Sequence, residues 1–72
     1  MNNDNVRKIL ADNIRFLRTK RRFSQEAVAD MASIGQNQVS EIENEHSNPS
    51  LDTLIKIANA FEVDIVELFK LQ

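Results

Sequence analysis

Apolar side chains recur at spacings of three and four residues along most of this 72-residue chain. This period places them on one face of an α-helix. The sequence contains one glycine and one proline, which is too few turn-forming residues for the many short strands of an all-β fold. Because a chain of this length has room for one domain, we expect a single all-α domain over residues 1–72.

The apolar pattern divides into five helical segments, and several of their starts carry recognisable signals. The first segment covers about residues 6–21. Ser24 and Ser50 are good N-cap residues for the second and fourth segments, because a serine hydroxyl accepts a hydrogen bond from a backbone N–H of the first turn. Asp64 followed by Glu67 is a capping-box pattern, which predicts that a fifth helix begins there.

We expect the apolar face of each segment to form part of one core. Ile9 and Phe16 form a second apolar line beside the face of the first helix. The residues predicted to face inward are Val6, Leu10, Ile14 and Leu17 in the first helix, Ala27, Val28, Met31 and Ala32 in the second, Val39 and Ile42 in the third, Leu51, Leu54, Ile55, Ala58 and Phe61 in the fourth, and Ile65, Leu68 and Phe69 in the fifth.

The composition argues against several classes of function. There is no cysteine, and His46 is the single histidine, so we expect no metal site, no cofactor and no catalytic centre. No apolar run approaches the roughly 20 residues that span a bilayer. The N-terminus lacks a signal-peptide pattern, so we expect a cytoplasmic protein that does not bind membranes. No ligand-sensing domain is expected, and therefore no small-molecule ligand.

Charge is distributed unevenly, although the net charge is only −2. Residues 1–25 contain seven basic and two acidic residues, whereas residues 26–72 contain two basic and nine acidic residues. Such asymmetry is typical of one positive face on an acidic body, which would suit nucleic acid. The alternative is a solvated helix end, because cations also suit a helix C-terminus. The basic residues that crowd together are Arg15, Arg18, Lys20, Arg21 and Arg22.

Two short helices joined by a tight turn form the most informative unit of the sequence. They cover about residues 24–32 and 35–44, and about three residues around Ser33 and Ile34 connect them. This spacing is typical of a helix-turn-helix, whose second helix lies in the major groove of DNA. We therefore expect the third helix of the chain to be a recognition helix.

The side of the third helix opposite Val39 and Ile42 is rich in amides and hydroxyls. Asparagine and glutamine pair with adenine through one donor and one acceptor, and glutamate accepts from the amino group of cytosine. Because no Lys or Arg lies on this arc, affinity would come from the basic end of the first helix. The alternative is a polar surface that only contacts solvent. The arc contains Gln36, Asn37, Ser40, Glu41 and Asn44.

Several motifs in register carry a family resemblance that covers about residues 9–69. The sequence resembles the Cro/phage-repressor (XRE) helix-turn-helix family, which implies a compact five-helix lambda-repressor-like DNA-binding domain, usually a dimer on a pseudo-palindromic operator. The motifs are Ile14-Arg15-Phe16-Leu17-Arg18, Ser24-Gln25-Glu26-Ala27-Val28-Ala29, Val39-Ser40-Glu41-Ile42-Glu43, Asn48-Pro49-Ser50-Leu51-Asp52-Thr53-Leu54 and Val63-Asp64-Ile65-Val66-Glu67-Leu68-Phe69.

The resemblance implies roles for particular side chains. Arg18 and Glu43 match a pair that forms an internal salt bridge in the family. Gln36, Asn37, Ser40 and Glu41 would face bases. The residues expected to contact the DNA backbone are Gln25, Asn44, His46, Ser47 and Asn48, together with the basic residues Arg15, Lys20, Arg21 and Arg22.

The chain departs from the family at several turns. The family often has glycine where this sequence has Arg22, Ser33 and Glu45. Either these turns avoid positive φ, or each carries strain of about 1–2 kcal/mol. Gly35 replaces the usual Ser or Thr before the third helix and is a weaker cap. His46 replaces a basic residue, which would tighten binding below about pH 6.5, where an ordinary histidine gains a proton.

We therefore expect a homodimeric, sequence-specific regulator of transcription, such as a repressor or controller, that binds double-stranded DNA. Its dimer interface would contain Val66 and Leu71 with Ile65 or Phe69, and Phe16 is a further candidate. The alternative is that these side chains cover the core of one chain. The alternative function is a helical protein-interaction module, such as an antitoxin or co-regulator component. Exposure of the amide-rich arc and a steep salt dependence of binding would distinguish the two functions.

Overall fold

The computed structural model describes residues 3–71, whose regular elements are all helices and which contain no β-strand. The predicted limits of the domain, residues 1 and 72, lie outside this range. A short 3₁₀ turn (Asn3–Asn5) leads into α1 (Val6–Lys20). It is followed by α2 (Gln25–Ala32), α3 (Gln36–Glu43), α4 (Leu51–Ala60) and a C-terminal 3₁₀ helix (Ile65–Phe69). The all-α fold class is confirmed.

Polar side chains start the helices at the positions that the sequence marks. The hydroxyl of Ser24 accepts a hydrogen bond from the backbone N–H of Ala27, and that of Ser50 accepts one from Thr53. Each bond satisfies a backbone donor that has no partner within the helix.

The fifth helical segment differs from its prediction. Residues 65–69 form a 3₁₀ helix instead of an α-helix, so the described chain has four α-helices rather than five. The Asp64 carboxylate accepts from the N–H of Val66, while Glu67 pairs with Lys70 at 2.6 Å instead of completing a capping box. Five residues are about the practical length of a 3₁₀ helix, in which side chains three apart eclipse.

The core lies where α1, α2, α4 and the C-terminal 3₁₀ helix meet, with α3 packed against α1 and α2. Phe61, Ile14, Ile57 and Leu68 are its largest fully buried side chains. The complete buried apolar cluster is Leu10, Ile14, Val28, Ala29, Ala32, Val39, Ile42, Leu54, Ile57, Ala58, Phe61 and Leu68.

Several residues predicted to face inward are exposed. On α4 the buried arc is centred near Ile57, which places Leu51 and Ile55 outside it, and Leu51 is 66% exposed. The helical period alone does not locate this centre, because Leu54 and Ala58 belong both to the predicted arc and to the observed arc. The exposed residues among those predicted to be inward are Val6, Met31, Leu51, Ile55 and Phe69.

A buried asparagine holds the C-terminal segment against α1. The Asn13 side chain is fully buried, and its amide nitrogen donates to the backbone carbonyls of Leu68, at 2.9 Å, and Lys70, at 2.8 Å. The Leu68 carbonyl lies in the last turn of the 3₁₀ helix and that of Lys70 just after it, so neither has an intrahelical donor. The sequence analysis missed Asn13 because one polar residue beside an apolar face reads as a surface position.

Each α-helix in residues 3–71 ends in the same left-handed turn. After α1 the N–H of Arg22 donates to Thr19 and that of Phe23 to Arg18, which is the Schellman arrangement. The corresponding pairs of bonds occur after α2, α3 and α4. The left-handed residue is never glycine: these residues are Arg22, Ser33, Glu45 and Glu62, with φ between 56° and 63°. Of the two possibilities left open by the sequence, the turns therefore adopt positive φ and carry strain.

No helix within residues 3–71 combines the length and the apolar character that crossing a membrane requires.

Candidate nucleic-acid interface

Two helices of eight residues each, α2 and α3, form the helix-turn-helix. Between them, Ser33 takes the left-handed conformation, and Ile34 packs against the core and anchors the turn. Gly35 precedes α3 with φ −76° and ψ 148°, an extended conformation open to any residue. It provides no side-chain cap, so the first turn of α3 retains N–H groups that face outward.

The amide-rich arc of α3 projects into solvent. Val39 and Ile42 are buried on the inner side, whereas Gln36, Asn37 and Glu41 are exposed on the outer side. The other two members of the arc extend it toward the C-terminus of α3: Asn44 is exposed, and Ser40 is half-buried. The Asn44 amide donates to the Ser40 hydroxyl at 3.4 Å. The arc therefore offers both donors and acceptors to a base edge.

Gln38 belongs to α3 but not to this arc. Its amide nitrogen donates to the Thr53 hydroxyl of α4 at 3.3 Å, and that hydroxyl oxygen also accepts from the Ser50 side chain. This bond attaches the recognition helix to the start of α4. It distinguishes Gln38 from its neighbours Gln36 and Asn37, which have the same chemistry but face outward.

Glu43 is a buried carboxylate that connects three elements. The Arg18 guanidinium donates to it twice, from Nε to Oε2 at 2.7 Å and from Nη2 to Oε1 at 3.0 Å. The Gln25 amide nitrogen also donates to Oε1, at 3.2 Å. The hydrogen bond to Glu43 raises the pKa of Arg18 above its ordinary value, although burial opposes the shift. The cation is therefore permanent and structural.

Glu43 holds both Gln25 and Arg15 beside α3. The Arg15 Nη2 donates to the backbone carbonyl of Glu43 at 2.6 Å, and its Nε lies 3.7 Å from the Glu43 carboxylate. Gln25 is the first residue of α2, where backbone N–H groups favour an anion. Both side chains therefore border the recognition helix in fixed positions.

The other predicted basic contacts do not join Arg15. Arg21 donates to the backbone carbonyls of Phe61, at 3.0 Å, and Leu17, and it stacks on the Phe61 ring. Lys20 lies over the exposed ring of Phe16, on the side of α1 opposite Arg18. The expected cluster at the end of α1 is therefore divided among different sides of the helix. Arg22 is exposed in the turn that leads to α2.

The connection from α3 to α4 contains the predicted loop contacts. His46 and Asn48 are exposed, and Ser47 is half-buried. The backbone N–H of His46 donates to Glu41, which closes the turn after α3. The side-chain oxygen Oδ1 of Asn48 accepts from the guanidinium of Arg7 of α1, a residue that the sequence analysis missed. A signal was present, because Arg7 and Arg15 are eight residues apart and so share one side of the helix.

The candidate dimer residues divide into two groups. Val66, Phe69 and Leu71 are exposed, with Val66 57% exposed. Ile65 is half-buried and packs against the core, so in this chain it serves the fold. Residues 3–71 contain no cluster of His, Cys, Asp or Glu arranged to hold a metal ion.

Comparison with known proteins gives relatives of similar length and fold. Residues 14–68 match the helix-turn-helix family HTH_3. Control protein C.SmaI of Serratia marcescens is 30% identical over 67 residues, which are 93% of this chain and 80% of C.SmaI. The crystal structure of the restriction-modification controller protein C.AhdI from Aeromonas hydrophila superposes with a TM-score of 0.84 at 32% identity, over 92% of this chain and 97% of that one.

A second solved structure has the same architecture. The hypothetical transcription factor NHTF from Neisseria superposes with a TM-score of 0.89 at 28% identity, over 97% of this chain and 80% of that one. The helix-turn-helix and the elements around it are therefore shared by independently determined structures.

Proposed function

The chain belongs to the HTH_3 helix-turn-helix family and is a DNA-binding regulator of transcription, and we propose that it binds a pseudo-palindromic operator as a homodimer. In this proposal α3 lies in the major groove and reads bases. The N-terminus of α2, Arg15 and the loop after α3 contact the DNA backbone.

The exposure of the amide-rich arc is the observation that carries this proposal. Buried polar groups would have to find partners inside the protein, as Gln38 does with Thr53. Gln36 and Asn37 instead face outward at the N-terminal end of α3, the end that reaches base edges in helix-turn-helix proteins. Glu41 faces the same side. Because its carboxylate is a charged acceptor, it favours contact with the amino group of cytosine and disfavours contact with a phosphate.

The proposed phosphate contacts include two side chains held at the C-terminal end of α3. Gln25 begins α2 and donates to the Glu43 carboxylate, and Arg15 of α1 donates to the Glu43 carbonyl. These two held side chains set the position of the recognition helix on the duplex, whereas the arc selects sequence. Arg18 is bound to Glu43 and supports these side chains from within the fold.

The dimer is supported by an apolar surface beside the C-terminal segment. Val66 and Phe69 are exposed on the 3₁₀ helix, which packs against α4. Leu51 and Ile55 are exposed on α4, outside its buried arc. One domain contacts too few bases to select a single site, so a second copy covering this surface would supply both burial and specificity. Leu71 is a further exposed candidate.

Two relatives give the regulatory setting that we propose. C.SmaI is named a control protein, and C.AhdI is named a restriction-modification controller protein. We infer that this chain controls restriction-modification genes. Its own cellular concentration sets how much of the operator is occupied.

Selection of bound duplexes from a random pool tests the proposed function. The expected result is enrichment of two half-sites related by a two-fold axis, with centres about 34 Å apart, one turn of DNA. Enrichment of a single half-site would contradict the dimer. If no duplex is enriched, and the retained DNA is released without a steep dependence on salt, the protein-interaction alternative is favoured instead.

A further inference from the structure

Side-chain hydrogen bonds join Arg7 and Asn48, which come from distant parts of the sequence. Arg7 lies in the first turn of α1, and Asn48 lies in the connection between α3 and α4, 41 residues later. The Arg7 Nε donates to the Asn48 side-chain oxygen Oδ1 at 2.9 Å, and Nη2 donates to the same atom. Both residues are exposed, so water would satisfy them equally well in the absence of this bond.

The bond decides which chemistry the pair presents to another molecule. The Asn48 oxygen is already occupied by two donors, so the side chain offers its Nδ2 hydrogens outward. Arg7 has no acceptor, and its remaining N–H groups are also donors. Pro49 follows Asn48 and restricts its backbone to extended conformations, which limits the positions of this amide. The Arg7–Asn48 pair therefore presents one positive charge and donors only, which is the requirement for an anion.

The position of the Arg7–Asn48 pair relative to α3 indicates which anion the pair binds. Arg7 lies on the same side of α1 as Arg15, which donates to the carbonyl of Glu43 at the end of α3. The Asp12 carboxylate is paired with Lys8 at 2.8 Å and lies 4.0 Å from Arg15, and the hydrogen bond and charge of Asp12, with a smaller contribution from Glu45, raise the pKa of Lys8. Lys8 and Arg15 together therefore offset these two carboxylates.

We propose that Arg7 and Asn48 together bind one phosphate of the DNA backbone, with Arg7 also orienting the Asn48 amide toward it. This inference rests on the proposed function, because it places the phosphate next to a recognition helix in the major groove. It adds a contact from the start of α1, where the sequence indicated only the end of that helix.

Salt dependence of duplex binding tests the proposal. The wild type, Arg7→Ala, Arg7→Lys and Asn48→Ala are titrated with a labelled duplex of the selected sequence at several salt concentrations. Arg7→Ala should weaken binding about tenfold and lower the slope of log K against log salt by about 1.8, because each of the two protomers loses one phosphate contact worth about 0.9. Lys56→Ala removes an exposed cation from α4, outside the proposed DNA contacts, and should leave the slope unchanged.

Two further comparisons distinguish a phosphate contact from a hydrogen bond that only stabilises the fold. Arg7→Lys keeps the charge but loses the forked donors, so it should retain the slope and lose about as much affinity as Asn48→Ala. The double change of Arg7 and Asn48 to alanine should weaken binding by less than the product of the single effects, because the two residues act as one unit. Thermal melts of each variant establish that the fold is retained.

The outcomes distinguish the proposed phosphate contact from the proposed DNA-binding function on which it rests. If the wild type binds no duplex, both are overturned. If the wild type binds but Arg7→Ala and Lys56→Ala change the slope equally, or the Arg7 and Asn48 effects multiply independently, only the phosphate contact is overturned.

Discussion

Arg18 of α1 and Glu43 of α3 form a two-bond ion pair beneath the recognition helix, with Nε–Oε2 and Nη2–Oε1 distances of 2.7 and 3.0 Å. The Glu43 side chain is 2% exposed and that of Arg18 16% exposed. Arg18 also donates to the carbonyl of Phe23, which fixes the turn before α2. The pair therefore sets the position of α3 relative to both helices that support it.

Glu43→Gln should destabilise the domain by about 3 kcal/mol, because it leaves the largely buried Arg18 cation without its carboxylate. For a domain of this size, the melting temperature should fall by about 10–20 °C, measured by circular dichroism. Glu67→Gln removes the carboxylate of an exposed pair with Lys70 and should cost less than about 1 kcal/mol. Equal losses for the two variants would contradict a buried structural pair.

Gln36→Ala should cost about 1–3 kcal/mol of binding energy on the selected operator and relax preference at one base position. The measurement is a binding titration with the operator and with single-base variants of it. Gln38→Ala removes the same amide from the inward edge of the same helix and should leave sequence preference intact. If Gln36→Ala weakens binding equally on every duplex, Gln36 contacts the backbone instead of a base.

Val66→Glu should convert the protein to monomers, because a charge buried in an apolar interface loses its hydration without gaining a partner. Sedimentation equilibrium measures the mass directly, and operator affinity should fall with it. Phe16→Glu places the same charge on another exposed apolar residue, under Lys20 on α1, and should leave the dimer intact. The reverse result would move the interface to α1.

Glu62→Gly should stabilise the domain by about 0.5–1 kcal/mol. Glu62 has φ 57° after α4, where an L side chain is strained, although glycine recovers only part of that strain because it is freer in the unfolded chain. Glu62→Ala removes the carboxylate but keeps the Cβ, so its melting temperature should not rise. A gain of equal size in both variants would assign the effect to charge instead of to backbone strain.

Local sequence signals predicted much of this architecture because the interactions behind them are local. Ser24 and Ser50 cap their helices with donors three residues away, and Val39 and Ile42 define the inner side of α3 by helical period alone. The outward position of Gln36 and Asn37 follows from that same period. None of these features depends on how the helices pack.

The basic residues of α1 show what required the tertiary structure. Arg7, Arg15, Lys20 and Arg21 are chemically similar cations on one helix, yet they bind Asn48, the Glu43 carbonyl, the face of Phe16 and the Phe61 carbonyl, respectively. Long side chains take the partners that other elements bring within reach, and a linear pattern does not contain those elements.

Sequence by itself determined the helical segments, the helix-turn-helix and the composition of its outward face, since each depends on spacing within one helix. Tertiary packing decided which cations lie beside α3, that Leu51 and Ile55 remain exposed, and that Asn13 is buried beneath the C-terminal segment. It also decided the four left-handed turns without glycine, because core contacts of Phe23, Ile34 and Val63 just after three of them favour a conformation that local preference opposes.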